Sequence, residues 1–186
     1  ALVLASQSPR RQDLLAGLDI PFSTFTRDNV DESYPENLGA AQIVEYLARH
    51  KATQLFAQAA EHYKNPLLIT ADTIVYHKHK VLGKPQDAED AKAILSTLSD
   101  SMHEVYTGVC LTSSQKQVFF HAVTQVFFDY LSPEMIAYYV QKYKPMDKAG
   151  SYGIQEWIGY VGINRIEGSY FNVMGLPVHK LHEALL

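Results

Sequence analysis

The chain has one cysteine, Cys110, among 186 residues. A lone thiol closes no internal disulfide and rules out a zinc site built on cysteines. Set between Val109 and Leu111, it reads as a small buried apolar side chain. No apolar run approaches the roughly 20 residues that span a bilayer. No basic segment followed by an apolar one opens the chain, so neither a membrane partner nor a secretory signal is expected, and the cytoplasm is the natural compartment. A basic block is missing too: 16 lysines and arginines face 20 acids, for a net charge of −4. That excludes the basic face of a duplex nucleic-acid binder. The aromatic content could suggest base stacking, but most of it falls on expected strand and helix faces, where core packing accounts for it. There is no repeat, low-complexity tract or flexible linker. The length suits a single domain over residues 1–186, built as two lobes. In so acidic a chain, an anionic ligand needs a local cationic pocket, which favours a small phosphorylated molecule over a polymer.

What the chain does have is concentrated at its start, in ALVLASQSPRRQDLL. Leu2, Val3 and Leu4 form the short apolar run of a buried strand. Ser6, Gln7 and Ser8 break it. Ser8 then stands at a helix N-cap, with Pro9 at the first helical position, where its missing N–H costs nothing. Leu14, Leu15 and Leu18 supply the helix's apolar face. Arg10 and Arg11 occupy its first turn, an end whose unpaired N–H groups favour acids. Two guanidinium groups there are misplaced by roughly a few tenths of a kcal/mol each unless an anion joins them. Backbone N–H groups, the hydroxyls of Ser6 and Ser8 and two planar forks would then converge on phosphate oxygens. The competing reading sends both arginines to solvent or to distant acids.

Further along, Pro21–Thr26 alternates as a second strand. Arg27–Asn37 is a polar loop carrying Asp28, Asp31, Glu32 and Glu36. A helix is expected from Leu38 to His62, with Ile43, Leu47 and Leu55 on its buried face and Lys51 within it. Leu67–Ala71 reads as an interior strand ended by Asp72–Thr73 and resumed at Ile74–Tyr76; a charge between buried-looking segments needs a partner or a metal. His77–Lys80 reads as a solvated hairpin tip, since its lysines would repel a cation. Gly83–Lys84–Pro85 connects to a helix capped by Asp87. Glu104–Thr112 and Gln117–Leu131 form a long hairpin about Ser113–Lys116, and Ser132–Pro133–Glu134 opens another helix. Pro145–Gln155 lacks periodicity and mixes Asp147, Lys148 and Gln155 with glycines, as a binding loop does. Val161–Ile166 reads as a strand, Gly168–Asn172 as a loop, and Leu176–Pro177 as the start of the last helix. Alternating strands and helices predict an α/β fold with a mixed twisted sheet flanked by helices.

LASQSPRR, VDES, RHKA, ADTIV, GKP, SDSMHEVYTG (the family's SxxHxVxTG, with Ser99 and Ser101 near the serine position before His103, Val105, Thr107 and Gly108), DKAGSYGIQ and INRIEGSYFNVMGLP together resemble the Maf family of nucleotide pyrophosphatases. The blocks keep the family's order from Leu4 to Pro177. Ser99–Asp100 stands where the family has Ser-Gly before the histidine, a departure confined to a turn. The resemblance implies a Maf/ITPase-like fold of two lobes around a central cleft, often in a homodimer. It also implies hydrolysis of a nucleoside triphosphate substrate to the monophosphate and pyrophosphate, with a divalent metal, magnesium or manganese. Relatives acting on 7-methyl-GTP carry an aromatic after Ser-Pro and Ser-Asp-Gln in place of Ala-Asp-Thr. Arg10, Thr73 and Gln155 instead resemble the branch acting on dTTP and UTP, with the cleaning of nucleotide pools and the control of division as the two cellular roles left open.

A triphosphate's charge requires cations and a metal. Ser6, Arg10, Arg11, Lys51, Thr73, Lys84, Lys148 and Gln155 are the candidate substrate-binding residues. Asp72 is the candidate base and Glu32 the candidate metal ligand beside it, with the two roles open to exchange or sharing. Each has a plainer alternative: Asp72 as a strand-ending turn residue, Glu32 as a solvated loop acid, Lys51 as an exposed helix lysine, Gln155 as a loop brace, and Asp147–Lys148 as an internal ion pair. A glutamine amide offers the donor and acceptor that match the O4 and N3–H edge of uracil or thymine. A nucleotide-binding regulator of septum formation with little turnover is the alternative function, although such a sensor has no need of water-activating carboxylates.

Overall fold

A computed structural model describes residues 1–27 and 30–186; Asp28 of the acidic loop lies outside the described residues. Among the described residues the sheet has seven strands, β1 (Leu2–Leu4), β2 (Ser23–Thr24), β3 (Leu67–His77), β4 (Lys80–Leu82), β5 (Met102–Thr112), β6 (Gln117–Phe128) and β7 (Ile163–Glu167), in the order β2-β1-β3-β5-β6-β7 with β4 paired to β3. The β1–β2 and β1–β3 pairs are parallel and the β3–β4 and β6–β7 pairs antiparallel, which makes the sheet mixed, on an α/β chain. The chain divides into two compact units, Ala1–Thr73 with Thr107–Ala122 and Gly175–Leu186, and Ile74–Tyr106 with Val123–Met174.

In the first unit, β1 (Leu2–Leu4) lies between β2 (Ser23–Thr24) and β3 (Leu67–His77), parallel to both. Its side chains alternate between two covered faces, which is why it reads as an unbroken apolar run. Val3 packs with Leu55 and Ala59 of α2 (Ala40–His62). Leu4 packs with Leu15 of α1 (Pro9–Ala16) and Leu181 of α7 (Val178–Leu185). The Ser8 side chain caps α1 by accepting from Arg11 N. Two contacts seat α2 on the strands beneath it. Thr70 Oγ1 donates to the Ala48 carbonyl at 2.7 Å. A Cβ at Gly108 would lie 2.6 Å from the Val44 carbonyl oxygen, so only glycine allows that approach.

The structure differs from the expected strands at two points here. β2 is two residues long, against the six of Pro21–Thr26. β3 runs unbroken from Leu67 to His77 and carries Asp72 inside it. The chain stays extended because Asp72 finds a cationic partner in Lys51, so its charge need not leave the strand.

The second unit begins within β3 and continues through β4 (Lys80–Leu82) and α3 (Ala88–Leu98). It also takes parts of β5 (Met102–Thr112) and β6 (Gln117–Phe128), then α4 (Pro133–Tyr143), α5 (Trp157–Gly162), β7 (Ile163–Glu167) and α6 (Tyr170–Met174). Leu95, Leu98, Ile136, Tyr139 and Ile158 form its core with Phe128 and Leu131. Asp87 and Ser132 cap α3 and α4, as their positions predict. The expected strand Val161–Ile166 starts only at Ile163, after α5, and the expected loop Gly168–Asn172 includes the start of α6. Helices of one turn leave no periodic signal. Asn172 anchors α6 by donating to the Val105 carbonyl at 3.1 Å and to Thr124 Oγ1 at 2.9 Å. The hairpin tip is Lys78–His79, both with positive φ, whereas His77 is buried in the strand and bonded to Ser101 Oγ at 2.8 Å.

His103 is buried in this unit, with Nε2 2.6 Å from the Tyr152 hydroxyl and its ring stacked on Phe128. Burial, reinforced by the nearby His77, lowers its pKa from 6.5 to about 3. Between those values the unfolded chain binds the extra proton and the folded chain does not. The contribution to stability is therefore complete above pH 6.5 and declines toward pH 3, at roughly one kcal/mol per pH unit. Chemical denaturation from pH 7 to pH 4 should show wild type losing stability more steeply than His103→Gln; equal slopes would place the proton uptake elsewhere.

Candidate functional site

The turn Ser6–Ser8 leads β1 into α1, with Ser6 Oγ accepting from Ser8 N at 3.0 Å. The Ser6 hydroxyl proton remains a donor for a ligand. Arg10 and Arg11 follow in the first turn of α1, which holds no acid. Arg11 is tied by neutral groups. Its Nε donates to the Gly175 carbonyl at 2.7 Å and its Nη2 to Thr73 Oγ1 at 2.9 Å. Thr73 Oγ1 lies 2.8 Å from Thr107 Oγ1, which is fully buried on β5. Burial lowers the Arg11 pKa, and the charges of Asp72 and Glu32 oppose that shift. The guanidinium is thus oriented by oxygens that carry no full charge.

Lys51 is placed differently. Its Nζ lies 2.9 Å from Asp72 Oδ2 and 3.8 Å from Glu32 Oε1, and donates to the Ala71 carbonyl at 3.1 Å. The Lys51 and Asp72 side chains are 14% and 16% exposed, and that of Glu32 60%. Of the expected site residues, Arg11 and Thr73 therefore meet, as do Lys51, Asp72 and Glu32. The nearby charges of Arg10, Asp72 and Glu32 all act on Arg11.

The other three expected residues belong to the second unit. Lys84 is exposed just after β4, next to Gly83, whose carbonyl accepts from Gly150 N at 3.1 Å. Lys148 pairs with Asp147 at 3.1 Å and approaches Glu156 Oε2 at 3.9 Å. Tyr139, buried on α4, donates to Glu156 Oε1 at 2.5 Å and accepts from Gly153 N at 3.0 Å. These bonds hold the 147–156 segment without Gln155, whose Oε1 is buried with no hydrogen-bond partner among the described residues. Ser151 Oγ is in the same condition, on a residue with φ of 65°. An orphaned buried acceptor is costly unless a ligand completes it.

Sequence reasoning missed Thr107 and the Gly175 carbonyl as supports of Arg11 in the first unit, and Tyr139 and Glu156 as supports of the 147–156 segment in the second. Thr107 lies inside the SxxHxVxTG block, but nothing in its spacing reports a hydroxyl aimed at Thr73.

A family profile described as Maf-like protein matches residues 1–186. The chain belongs to the Maf family. Over 184 residues it is 52% identical to a dTTP/UTP pyrophosphatase of Bacteroides thetaiotaomicron, covering 99% of this chain and 94% of that protein. It is 51% identical to a dTTP/UTP pyrophosphatase of Parabacteroides distasonis with the same coverage. With one of Porphyromonas gingivalis it shares 50%, over 99% of this chain and 92% of that protein. Among the described residues, no helix of this Maf protein is long and apolar enough to cross a membrane.

The donor set around Lys51 fits the divalent metal expected of the family. Asp72 and Glu32 present hard oxygens to one shared cation position, as magnesium or manganese requires. Among the described residues no group of three or more His, Cys, Asp or Glu side chains converges.

Thr107→Val should weaken binding of inorganic tripolyphosphate roughly fivefold, about 1 kcal/mol, by freeing Thr73 to rotate away from Arg11. Thr107→Ser should bind as wild type does. Calorimetric titration checks both, and equal affinities in all three would mean that Thr107 only fills space.

Proposed function

We propose that this Maf protein hydrolyses dTTP and UTP between the α- and β-phosphates, releasing pyrophosphate. The reading is carried by the meeting of Lys51 with Asp72 and Glu32 beside Arg11, in a chain about half identical over nearly its full length to proteins named for that activity. Arg10, Arg11, Lys51 and the N–H groups opening α1 gather the polyphosphate, and Ser6 donates a further hydrogen bond. Arg11, oriented by neutral anchors, presents its remaining N–H groups to phosphate oxygens.

Asp72 is the group to accept a proton from the attacking water. It is held on the β3 strand with its carboxylate 2.9 Å from the Lys51 ammonium, a position from which a carboxylate can take a proton from water. Glu32 and Asp72 would hold the divalent ion, which when bound neutralises phosphate charge and polarises the phosphorus centre. Lys84 and Lys148 are further phosphate contacts on this reading. Gln155 reads the base: its unpartnered Oε1 accepts N3–H of uracil or thymine, and its amide N–H donates to O4. Cytosine presents an amino group in place of O4 and an unprotonated N3, so both bonds fail.

Pyrophosphate release across a panel of nucleoside triphosphates, with magnesium, with manganese and with chelator, tests the function. Preferential release from dTTP and UTP supports it; nucleotide binding with no release would leave a regulator instead. Asp72→Asn should lower kcat by about a hundredfold or more with the thermal midpoint near wild type, measured by pyrophosphate assay and calorimetric melting. Turnover close to wild type would remove Asp72 as the base. Gln155→Ala should shrink the ratio of kcat/KM for UTP over CTP about tenfold, while total release falls less. An unchanged ratio would return Gln155 to a structural role.

A further inference from the structure

The position between Asp72 and Glu32 already holds a cation. Lys51 Nζ stands 2.9 Å from one carboxylate and 3.8 Å from the other, on a side chain that is mostly buried and fixed to α2. Its remaining bond is to the Ala71 carbonyl, on the residue before Asp72, so the ammonium is seated on three oxygens at once. A divalent ion held by these two carboxylates needs the space and the charge balance that the ammonium now supplies. We propose that Lys51 is a resident counter-cation for the metal position: it keeps a divalent ion out of the nucleotide-free protein, and it transfers to phosphate oxygens when the ion arrives with a polyphosphate. This rests on the reading of Asp72 and Glu32 as metal ligands.

Charge counting favours the exchange. Arg10, Arg11 and Lys51 bring three positive charges against two negative ones on Glu32 and Asp72, a sum of +1. A bare divalent ion would raise that sum to +3 in a partly buried site, which is strongly opposed at short range. A metal–triphosphate complex, carrying about two negative charges, takes it to −1 and offers the ammonium new anionic partners. The lysine thus links metal entry to substrate entry, and water is not activated at an empty site.

The test is manganese binding without nucleotide, read as free Mn2+ by electron paramagnetic resonance. Wild type should bind manganese weakly. Lys51→Met, which keeps the stem and removes the charge, should bind about tenfold tighter or more. Adding Glu32→Gln and Asp72→Asn to Lys51→Met should abolish that gain, which assigns it to these carboxylates. Lys51→Gln provides the same comparison should the methionine variant fold poorly, with circular dichroism melts as the check. Manganese affinity in the charge-removed variant equal to or weaker than wild type overturns the proposal, as does a gain that survives loss of both acids. Pyrophosphate release by wild type is measured separately, so failure of the proposed activity remains distinct from failure of the exchange.

Discussion

The Lys51 ammonium, 2.9 Å from Asp72 and 3.8 Å from Glu32, is the interaction that lets a charged residue sit inside the β3 strand. A charge such as Asp72 inside a covered strand is tolerated only with a partner. Lys51 supplies it from α2, and α2 can supply it because the helix is locked to the strands below. The Thr70 hydroxyl holds the Ala48 carbonyl, one turn before Lys51, and Gly108 lets the backbone of Val44 come close. Both contacts use groups too small to be noticed as functional. Together they decide where a cation stands relative to an acid.

The two main cations of the site are held by opposite means. Lys51 is paired directly with full negative charges, whereas the hydrogen bonds that orient Arg11 go to a carbonyl and to the first of two linked hydroxyls. Orientation without neutralisation suits a group that must attract an anion. Neutralisation by acids suits one that is to be released when a better partner arrives.

In the second unit the 147–156 segment is braced around a buried tyrosine. Tyr139 bonds both Glu156 and the Gly153 N–H, and Lys148 balances Asp147 and Glu156. Burial first, then the Glu156 contact, raises the Tyr139 pKa, so its hydroxyl stays protonated and keeps donating. With the brace complete, the Gln155 oxygen is left without a hydrogen-bond partner among the described residues. An acceptor kept free at the cost of desolvation is what recognition of an N–H edge demands.

Local chemistry was readable from the chain itself. The caps at Ser8, Asp87 and Ser132, the buried runs of β1 and β3, the mixed α/β class and the family membership each depend on neighbours in sequence or on motif order. The plainer reading of Asp147 and Lys148 as an ion pair corresponds to a contact seen at 3.1 Å. Short helices such as α5 and α6 were invisible because one turn shows no period. Continuity of β3 through Asp72 was invisible because it depends on a lysine some twenty residues away in sequence. The roles of Thr107 and Gly175 likewise exist only once Arg11, 164 residues from Gly175, has been folded against them. Residue type and spacing announce which groups can do chemistry. Which of them stand within bonding distance, and which are left unpaired to receive a ligand, is settled by long-range packing alone.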